Sequence, residues 1–450
     1  MRHAGSAAGT GTLGPLKGRA QTAGRSLPLR REMSKRLLIL FAALGAALGG
    51  AGPARAGGSA EVEARTPISS AAQLFTCCTP EALQERMFAE AQASGAEYVR
   101  VDVELHGIFD AAGSRARPDW SHLDRMVELA RLHDVKLLGI IRGTPGWLSG
   151  CPGSSKGTIC APRDPAEWGR LAGEVAAHAR ASIDHWEILN EPDARWAFTG
   201  SAEDYARMLS ASYDAIKARV PEAQVVFGGV ERPREHEWIE RVLATPGADA
   251  AHKFDIAAVH LRLRLRNELH ELPEWLTSWR ALLARHGFHG PIWVTEHGYP
   301  ADPAFQWDPA YRGADAPGGD AAQAALLRDS IRLLARAGAG QIFVTLRDNL
   351  FGEFLSEGLV HIDEAQPGYP AGRRQSFAAV RDLALKWDRA VYARSGGRGQ
   401  ERLALGFEQL ALATHAAGRP VAAALQQGAA DGHAVLALEL VRAAAKDAGP

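Results

Sequence analysis

Short apolar runs alternate along the chain with longer segments whose apolar positions recur at helical spacing. The apolar runs fall at 74–77, 98–103, 135–141, 186–189, 224–229, 256–260, 292–295 and 341–345. The helical segments fall at 80–93, 120–132, 165–181, 202–220, 235–243, 273–286, 320–337 and 377–387. This alternation is typical of repeated βα units with parallel strands. Eight units predict an α/β protein with a (β/α)8 barrel, the TIM-barrel fold.

An open, doubly wound sheet is the alternative architecture for such a pattern. Its dinucleotide-binding members have the motif Gly-x-Gly-x-x-Gly after the first strand, and no such motif follows the run at 74–77. The barrel is therefore favoured. Helix-start signals fit the assignment, because Thr79 and Pro80 predict a capped first turn and Ser201 with Asp204 resembles a capping box.

The two ends of the chain differ from the barrel pattern. Residues 388–450 are rich in alanine, and the run at 435–441 matches helix and strand templates equally, so they predict a small C-terminal extension. Residues 33–56 resemble a signal peptide, with a basic start, an apolar run at 37–47 and the small-residue pattern Ala54-Arg55-Ala56. Residues 1–32 are then a leader or a misassigned start, and 57–387 form the barrel.

The signal-like segment predicts that the mature protein is secreted or periplasmic. Its apolar run is too short and too rich in glycine to span a bilayer, and no later stretch reaches about 20 apolar residues, so stable membrane insertion is not expected. An oxidising compartment favours disulfides. Cys151 and Cys160 flank a loop rich in Pro, Gly and Ser and are expected to pair, whereas the pairing of the adjacent Cys77 and Cys78 stays open.

Composition narrows the class of partner. Hydrophobic residues make up 46% and charged residues 23% of the chain, an ordinary globular balance. Because 51 Lys and Arg oppose 52 Asp and Glu, no net field favours nucleic acid. Eleven Trp against seven Tyr is a tilt towards flat indole faces, which suit sugar rings, although Trp is also common in cores. A neutral partner such as a carbohydrate fits best, and the sequence leaves the oligomeric state open.

Two of the predicted strands end in glutamate. The fourth run is followed by Asn190, Glu191 and a proline, and the seventh by Glu296. In a barrel of parallel strands the active site lies at the C-terminal ends of the strands, so both side chains are expected in one cavity. Hydrolysis of an acetal with retention requires such a pair, one carboxylic acid and one carboxylate about 5–5.5 Å apart.

The order and position of Asn190-Glu191-Pro192 and Thr295-Glu296 resemble the paired signature of the clan A glycoside hydrolases. The tracts 98–102 (Tyr-Val-Arg-Val-Asp) and 144–148 (Thr-Pro-Gly-Trp-Leu) are similar to the β-xylosidase-like branch, which also contains hydrolases of bacterial exopolysaccharide. The resemblance covers roughly residues 70–387. It implies an O-glycosyl hydrolase that acts on β-linked oligo- or polysaccharides and needs no metal or cofactor.

The resemblance also implies roles for individual residues. Glu191 is the expected acid/base, Glu296 the nucleophile and Asn190 a donor to the sugar 2-hydroxyl. Further candidates for substrate binding are Arg100, His260, Trp147 and Tyr299. Arg100 is expected to hold Glu296 ionised by a charge-assisted hydrogen bond, as the strand-two arginine of the clan does. Structural alternatives stay open for three of them: a salt bridge within the barrel for Arg100, a core histidine for His260 and loop packing for Trp147. Glu187 is interpreted as structural because it lies deeper on its strand.

One departure from the clan's pattern concerns the eighth strand. Clan members commonly end it with a Trp that forms the floor of the site, whereas here Arg347 and Asp348 follow the run. Either residue contacts substrate instead, or the strand end is displaced. Two other classes of function remain as alternatives: a non-catalytic sugar-binding barrel, and a metal-dependent hydrolase that uses His185, His260 and His297.

Overall fold

The computed structural model describes residues 68–75, 79–109, 117–154, 157–231, 236–302, 318–348, 356–362 and 370–394. Eight parallel strands form one sheet in the order β5-β4-β3-β2-β1-β8-β7-β6. The strands are β1 Ile68–Phe75, β2 Tyr98–Glu104, β3 Lys136–Arg142, β4 His185–Ile188, β5 Gln224–Phe227, β6 Ala257–His260, β7 Ile292–His297 and β8 Gln341–Thr345. Parallel bridges between Val226 and Ile256 and between Val230 and Val259 join β5 to β6. The sheet closes, and the predicted (β/α)8 barrel is confirmed.

Helices follow the strands and cover the outside of the barrel. They are α1 Glu81–Ala93, α2 Leu105–Phe109, α3 Ser121–Leu132, α4 Pro165–His178, α5 Ala202–Arg219, α6 His236–Leu243, α7 Leu272–Arg285, α8 Asp320–Arg336 and α9 Gln375–Arg394. After β8 comes an antiparallel pair of short strands, β9 Val360–Ile362 and β10 Pro370–Arg373. Neither α2 nor this pair was predicted, because both are too short for their periodicity to be recognised in sequence.

The helix-start predictions differ in outcome. Ser201 and Asp204 form the predicted capping box, in which the Ser201 hydroxyl accepts from the Asp204 N–H at 3.1 Å. The prediction for Thr79 was wrong, because α1 begins at Glu81 with Pro80 as its N-cap and without a side-chain cap.

The N-terminal end of the barrel interior is filled by aromatic side chains. Tyr98, Trp293 and Phe343 lie with their ring centroids 5.5–6.3 Å apart, and the His185 ring stacks on Trp293 at 4.9 Å. Aromatic pairs at such separations pack favourably and exclude water. The cavity of the barrel is therefore closed at this end, and polar side chains further along the strands face the C-terminal end.

The first strand begins earlier than predicted. The expectation was 74–77, whereas β1 spans Ile68–Phe75, and residues 76–78, which include both adjacent cysteines, lie outside the described residues. Ser69 and Ser70 hid the strand, because buried strands normally consist of apolar residues. Burial of Ser69 is possible since its hydroxyl accepts hydrogen bonds from the Tyr98 N–H and the Gln341 side chain.

The ends of the chain are described only in part. Helix α9 extends to Arg394, seven residues past the boundary predicted for the barrel. The signal-like segment and the rest of the predicted extension lie outside the described residues. The predicted Cys151–Cys160 disulfide is present, with the two Cα atoms 6.1 Å apart. Within the described part of the chain, no helix combines the length and hydropathy needed to cross a bilayer.

Candidate active site

Glu191 lies on an unusual turn directly after β4. Leu189 and Glu191 both have positive φ angles, 63° and 45°, although neither is glycine. Such conformations cost on the order of 1–3 kcal/mol and are concentrated at functional sites. The turn is held in place because the Glu191 N–H donates to the Gly229 carbonyl at 2.9 Å. As a result the Glu191 carboxyl group, only 5% exposed, faces the mouth of the barrel.

A bulge in β7 determines the direction of Glu296. Val259 pairs with Val294 but His260 pairs with Glu296, so β7 contains one extra residue at Thr295. Trp293 belongs to the barrel interior and Val294 to the outer core. Strict alternation would therefore turn Glu296 outward, and the extra residue returns it to the interior. Bulges commonly redirect side chains next to active sites.

The two carboxylates lie close together around His260. Glu191, His260 and Glu296 offer oxygen and nitrogen atoms that all lie within 4.8 Å of one another. Nδ1 of His260 is 2.7 Å from Oε1 of Glu191 and 3.6 Å from Oε2 of Glu296. The nearest oxygens of Glu191 and Glu296 are therefore no more than 4.8 Å apart, closer than the about 6.5–9.5 Å between the carboxyl groups of inverting glycosidases.

Arg100 lies on β2, below the two carboxylates, and contacts three predicted residues. Its guanidinium donates to Oε1 of Glu296 at 2.7 Å, to Oδ1 of Asn190 at 2.7 Å, and to both oxygens of Glu187 at 2.7 and 2.9 Å. The group is 4% exposed. Arg100 therefore fits both interpretations. It forms a buried salt bridge with Glu187, and it also donates to Glu296.

Two charged residues of the site were missed in the sequence. Arg262 donates to Oε2 of Glu296 and to Oε1 of Glu357. The hydroxyl of Thr345, at the end of β8, donates to the same Glu357 oxygen. Glu357 fits beside the strand because Gly298 has no side chain, and a Cβ there would lie 2.3 Å from Cγ of Glu357. Glu296 is thus held by two guanidinium groups, one on each oxygen.

Strand periodicity contained a signal for Arg262. The N–H groups of Leu261 and Leu263 donate to the carbonyls of Glu296 and Gly298 at 3.0 Å, so the chain continues in strand-like pairing beyond β6. His260 and Arg262 are two residues apart and share a face, while Leu261 and Leu263, which alternate with them, are buried. The sequence run His-Leu-Arg-Leu shows this alternation. Glu357 has no comparable local pattern.

Burial and charge separate the pKa values of the two glutamates. Burial and the nearby charge of Glu296 raise the pKa of Glu191 to about 8. Burial would also raise the pKa of Glu296, but the guanidinium groups of Arg262 and Arg100 hold it well below its ordinary range. Near neutral pH the first is a carboxylic acid and the second a carboxylate. Pairs with divergent pKa values indicate acid and base assignments.

His260 is uncharged near neutral pH, because burial lowers its pKa to about 4. Its Nδ1 shares a hydrogen bond with the Glu191 carboxyl group, while its Nε2 lies next to the backbone of Gly229. Burial likewise raises the pKa of Glu357, whereas Arg262 lowers it. The site thus combines two arginines with one protonated carboxyl group, Glu191, and one ionised carboxylate, Glu296.

Glu191, His260 and Glu296 converge and each offers an atom of the kind that binds metal ions. However, the first two are hydrogen-bonded to each other, and both oxygens of Glu296 accept from guanidinium groups. Two adjacent cations also oppose binding of a third. The geometry therefore favours an acid–base cluster.

The histidines of the metal-dependent alternative do not converge. His185 begins β4 at the closed end of the barrel, and His260 ends β6 at the open end. His297 contacts the Leu261 carbonyl at 2.6 Å and the Ser330 hydroxyl at 2.7 Å, on the helix side of β7.

The other predicted binding residues differ in burial and in what they contact. Asn190 lines a pocket of about 220 Å³ between the ends of β2, β3 and β4, together with Glu104 and Arg142. Trp147 is half-buried, and its indole N–H donates to the Phe109 carbonyl at 3.0 Å, which fits loop packing. Tyr299 is fully buried. Contact with substrate remains a prediction for all of them.

The end of β8 has no tryptophan and is occupied by an ion-pair network instead. Asp348 accepts from the Arg374 guanidinium at 2.7 Å and from the Gly358 N–H at 3.0 Å. Arg347 is 6% exposed. Asp348 is therefore committed to a structural salt bridge, and among the described residues Thr345 and Glu357 lie at the end of β8 on the Arg262 side of Glu296.

Comparison with solved structures identifies glycoside hydrolases of the same fold. An exo-β-1,4-mannosidase from Opitutaceae bacterium strain TAV5 is 17% identical, with a TM-score of 0.52 over 77% of this chain and 68% of that one. A family 39 glycoside hydrolase from Bacteroides cellulosilyticus WH2 is 14% identical, with a TM-score of 0.51 over 72% and 64%. The β-glycosidase of Thermosphaera aggregans is 14% identical, with a TM-score of 0.51 over 69% and 87%.

These similarities concern the fold. No family model and no curated protein sequence matches the chain. The chain spans 64% of the length of the family 39 enzyme. The comparison confirms the barrel fold that the resemblance to clan A glycoside hydrolases implied, and it indicates no particular branch.

Proposed function

We propose that the protein is a retaining O-glycosyl hydrolase that cleaves β-linked oligo- or polysaccharides by double displacement. The observation that carries the proposal is the pair Glu191 and Glu296, whose oxygens lie within 4.8 Å while their pKa values are shifted in opposite directions. A protonated and an ionised carboxyl group at this distance are the two groups that retention requires.

Each residue of the pair has one role per step. Glu191 gives its proton to the leaving oxygen as Glu296 attacks the anomeric carbon, and a covalent glycosyl-enzyme forms. Once Glu296 is an ester its charge no longer raises the pKa of Glu191, which then accepts a proton from the attacking water. Neutral His260 orients the Glu191 carboxyl group through Nδ1. Asn190, held by Arg100, is positioned beside the pocket to contact the sugar 2-hydroxyl.

The test is hydrolysis of a panel of β-aryl glycosides and polysaccharides by the parent and three variants. Glu296→Gln removes the nucleophile and is expected to reduce turnover to the background rate. Glu191→Ala is expected to retain activity only towards good leaving groups. Glu128→Gln, a matched change at an exposed position of helix α3, is expected to behave as the parent. A parent that binds polysaccharide but hydrolyses nothing in the panel would support a sugar-binding barrel instead.

We also propose that the protein acts outside the cytoplasm. The signal-like segment at 33–56 and the Cys151–Cys160 disulfide support this location. N-terminal sequencing of exported protein is expected to begin near Gly57, and retention of the first 32 residues in that material would contradict the proposal.

A further inference from the structure

The nucleophile is the central member of a row of alternating charges. In order, the row consists of Glu187, Arg100, Glu296, Arg262 and Glu357. Both outer carboxylates are fully buried, at 0% exposure. A buried guanidinium that loses its carboxylate is strongly destabilised. Each arginine of this row pairs with two of its carboxylates, so each keeps one partner when the central carboxylate reacts.

We infer that Arg262 is a second catalytic guanidinium on the nucleophile and that Glu357 is the positioning carboxylate that keeps Arg262 paired while Glu296 is bound to the sugar. The inference rests on the proposed double displacement. Arg100 and Glu187 form the equivalent pair on the other oxygen of Glu296, with contacts of 2.7–2.9 Å.

The charge movement in the first step explains the need for Glu357. An oxygen of Glu296 forms a bond to the anomeric carbon, the glycosidic C–O bond breaks, and the departing oxygen takes the proton of Glu191. Net charge is unchanged, but the negative charge moves from Glu296 to Glu191, which is hydrogen-bonded to His260. Arg262 keeps Glu357 as a direct carboxylate partner.

Formation of the Glu296 ester favours the ionised form of Glu357, which is the form that pairs with Arg262. In the free enzyme the charge of Glu296 contributes to raising the pKa of Glu357, after the larger effect of burial. Formation of the ester removes that repulsion, while the attraction of Arg262 remains. The hydroxyl of Thr345 also donates to Glu357 and keeps its carboxyl group against the end of β8.

Trapping kinetics separate this role from a structural one. The probe is the 2,4-dinitrophenyl 2-deoxy-2-fluoro-β-glycoside of a sugar that the parent hydrolyses, and the label on Glu296 is followed by mass spectrometry. Arg262→Met is expected to slow labelling about 100-fold, and Arg262→Lys less, because one of the two donors that hold the reacting carboxylate in position is lost or only partly replaced. Glu357→Gln is expected to slow labelling about tenfold or more without slowing the later loss of label, which regenerates the Glu296 charge.

The matched control is Arg374→Met, which removes a buried arginine paired with Asp348 and Asp320 at 2.7 Å. It is expected to lower the melting temperature without changing the ratio of labelling to reactivation rates. Equal slowing of labelling and reactivation in Glu357→Gln would overturn the positioning role.

A second readout does not require activity. The pKa of Glu296, measured by ¹³C NMR of labelled glutamate, is expected to rise by about one unit or more in Arg262→Met, because an adjacent opposite charge is removed while Arg100, Glu191, His260 and Glu357 remain. If the Glu296 pKa and the labelling rate in Arg262→Met were the same as in the parent, the inference would be overturned but the proposed function would not. Failure of every probe to label the parent would overturn the proposed function and the catalytic role of Arg262 with it.

Discussion

Removal of the Glu296 charge is expected to lower the pKa of Glu191 by about two to three units. The substitution is Glu296→Gln, which keeps the size of the side chain and an oxygen that accepts from Arg100. At 4.8 Å, the upper limit of the distance between their nearest oxygens, and an effective dielectric constant of about 20, Coulomb's law gives about 3.5 kcal/mol. That energy corresponds to about 2.5 pKa units. The pKa of Glu191 should therefore fall from about 8 to between about 5 and 6.

The assay is a pH titration of ¹³C-labelled glutamate side chains by NMR, with the Glu191 signal assigned by its loss in Glu191→Gln. It needs no substrate. Asp193→Asn is the matched control, because this neighbouring carboxylate raises the pKa of Glu191 less than burial and Glu296 do. Its removal is expected to cause a smaller fall than Glu296→Gln.

A Glu191 pKa in Glu296→Gln that stays within about half a unit of the parent value would refute the reasoning, because the expected fall is about two to three units. Burial alone would then explain the raised pKa. Loss of the Glu296 charge on ester formation could in that case not convert Glu191 from acid to base, and the two-step exchange of roles would have no electrostatic basis.

Three further predictions follow from the same geometry. Glu191→Ala is expected to cost about 100- to 10,000-fold on alkyl glycosides but little on dinitrophenyl glycosides, and equal losses in a steady-state comparison of the two would contradict its role as acid. Gly229→Ala places a Cβ 2.2 Å from Nε2 of His260 and should displace that ring from the acid/base, with kcat/KM lower by about 100-fold; an unchanged kcat/KM would contradict the orienting role. Replacing both cysteines of the Cys151–Cys160 disulfide by serine should lower the free energy of unfolding by about 2–3 kcal/mol in urea titrations, and an unchanged midpoint would count against the loop as a constraint.

The sequence predicts the position of both glutamates but not how they reach it. Polar residues at strand ends of a barrel point to the C-terminal face. The orientation of Glu296 depends on the extra residue in β7, and that of Glu191 on two positive φ angles. Neither a bulge nor a strained turn leaves a signal in the hydrophobic pattern, because both break the periodicity on which prediction relies.

The remaining differences have similar physical origins. Arg262 could have been predicted as a site residue, because the alternation of strand residues continues past His260. It was missed because the predicted strand ended at His260. Glu357 reaches the site through long-range packing against Gly298, and no local pattern reports a contact of that kind. The start of β1 was missed because Ser69 satisfies its hydroxyl through partners on β2 and β8, which only the closed barrel provides.

The stereochemistry of the first product tests the central claim most directly. On any β-glycoside that the protein hydrolyses, ¹H NMR recorded in the first minutes distinguishes the anomers before mutarotation. The close pair of Glu191 and Glu296, with oxygens within 4.8 Å, predicts that the β-anomer forms first. Initial release of the α-anomer would mean direct attack by water with inversion, and would contradict the assignment of Glu296 as nucleophile.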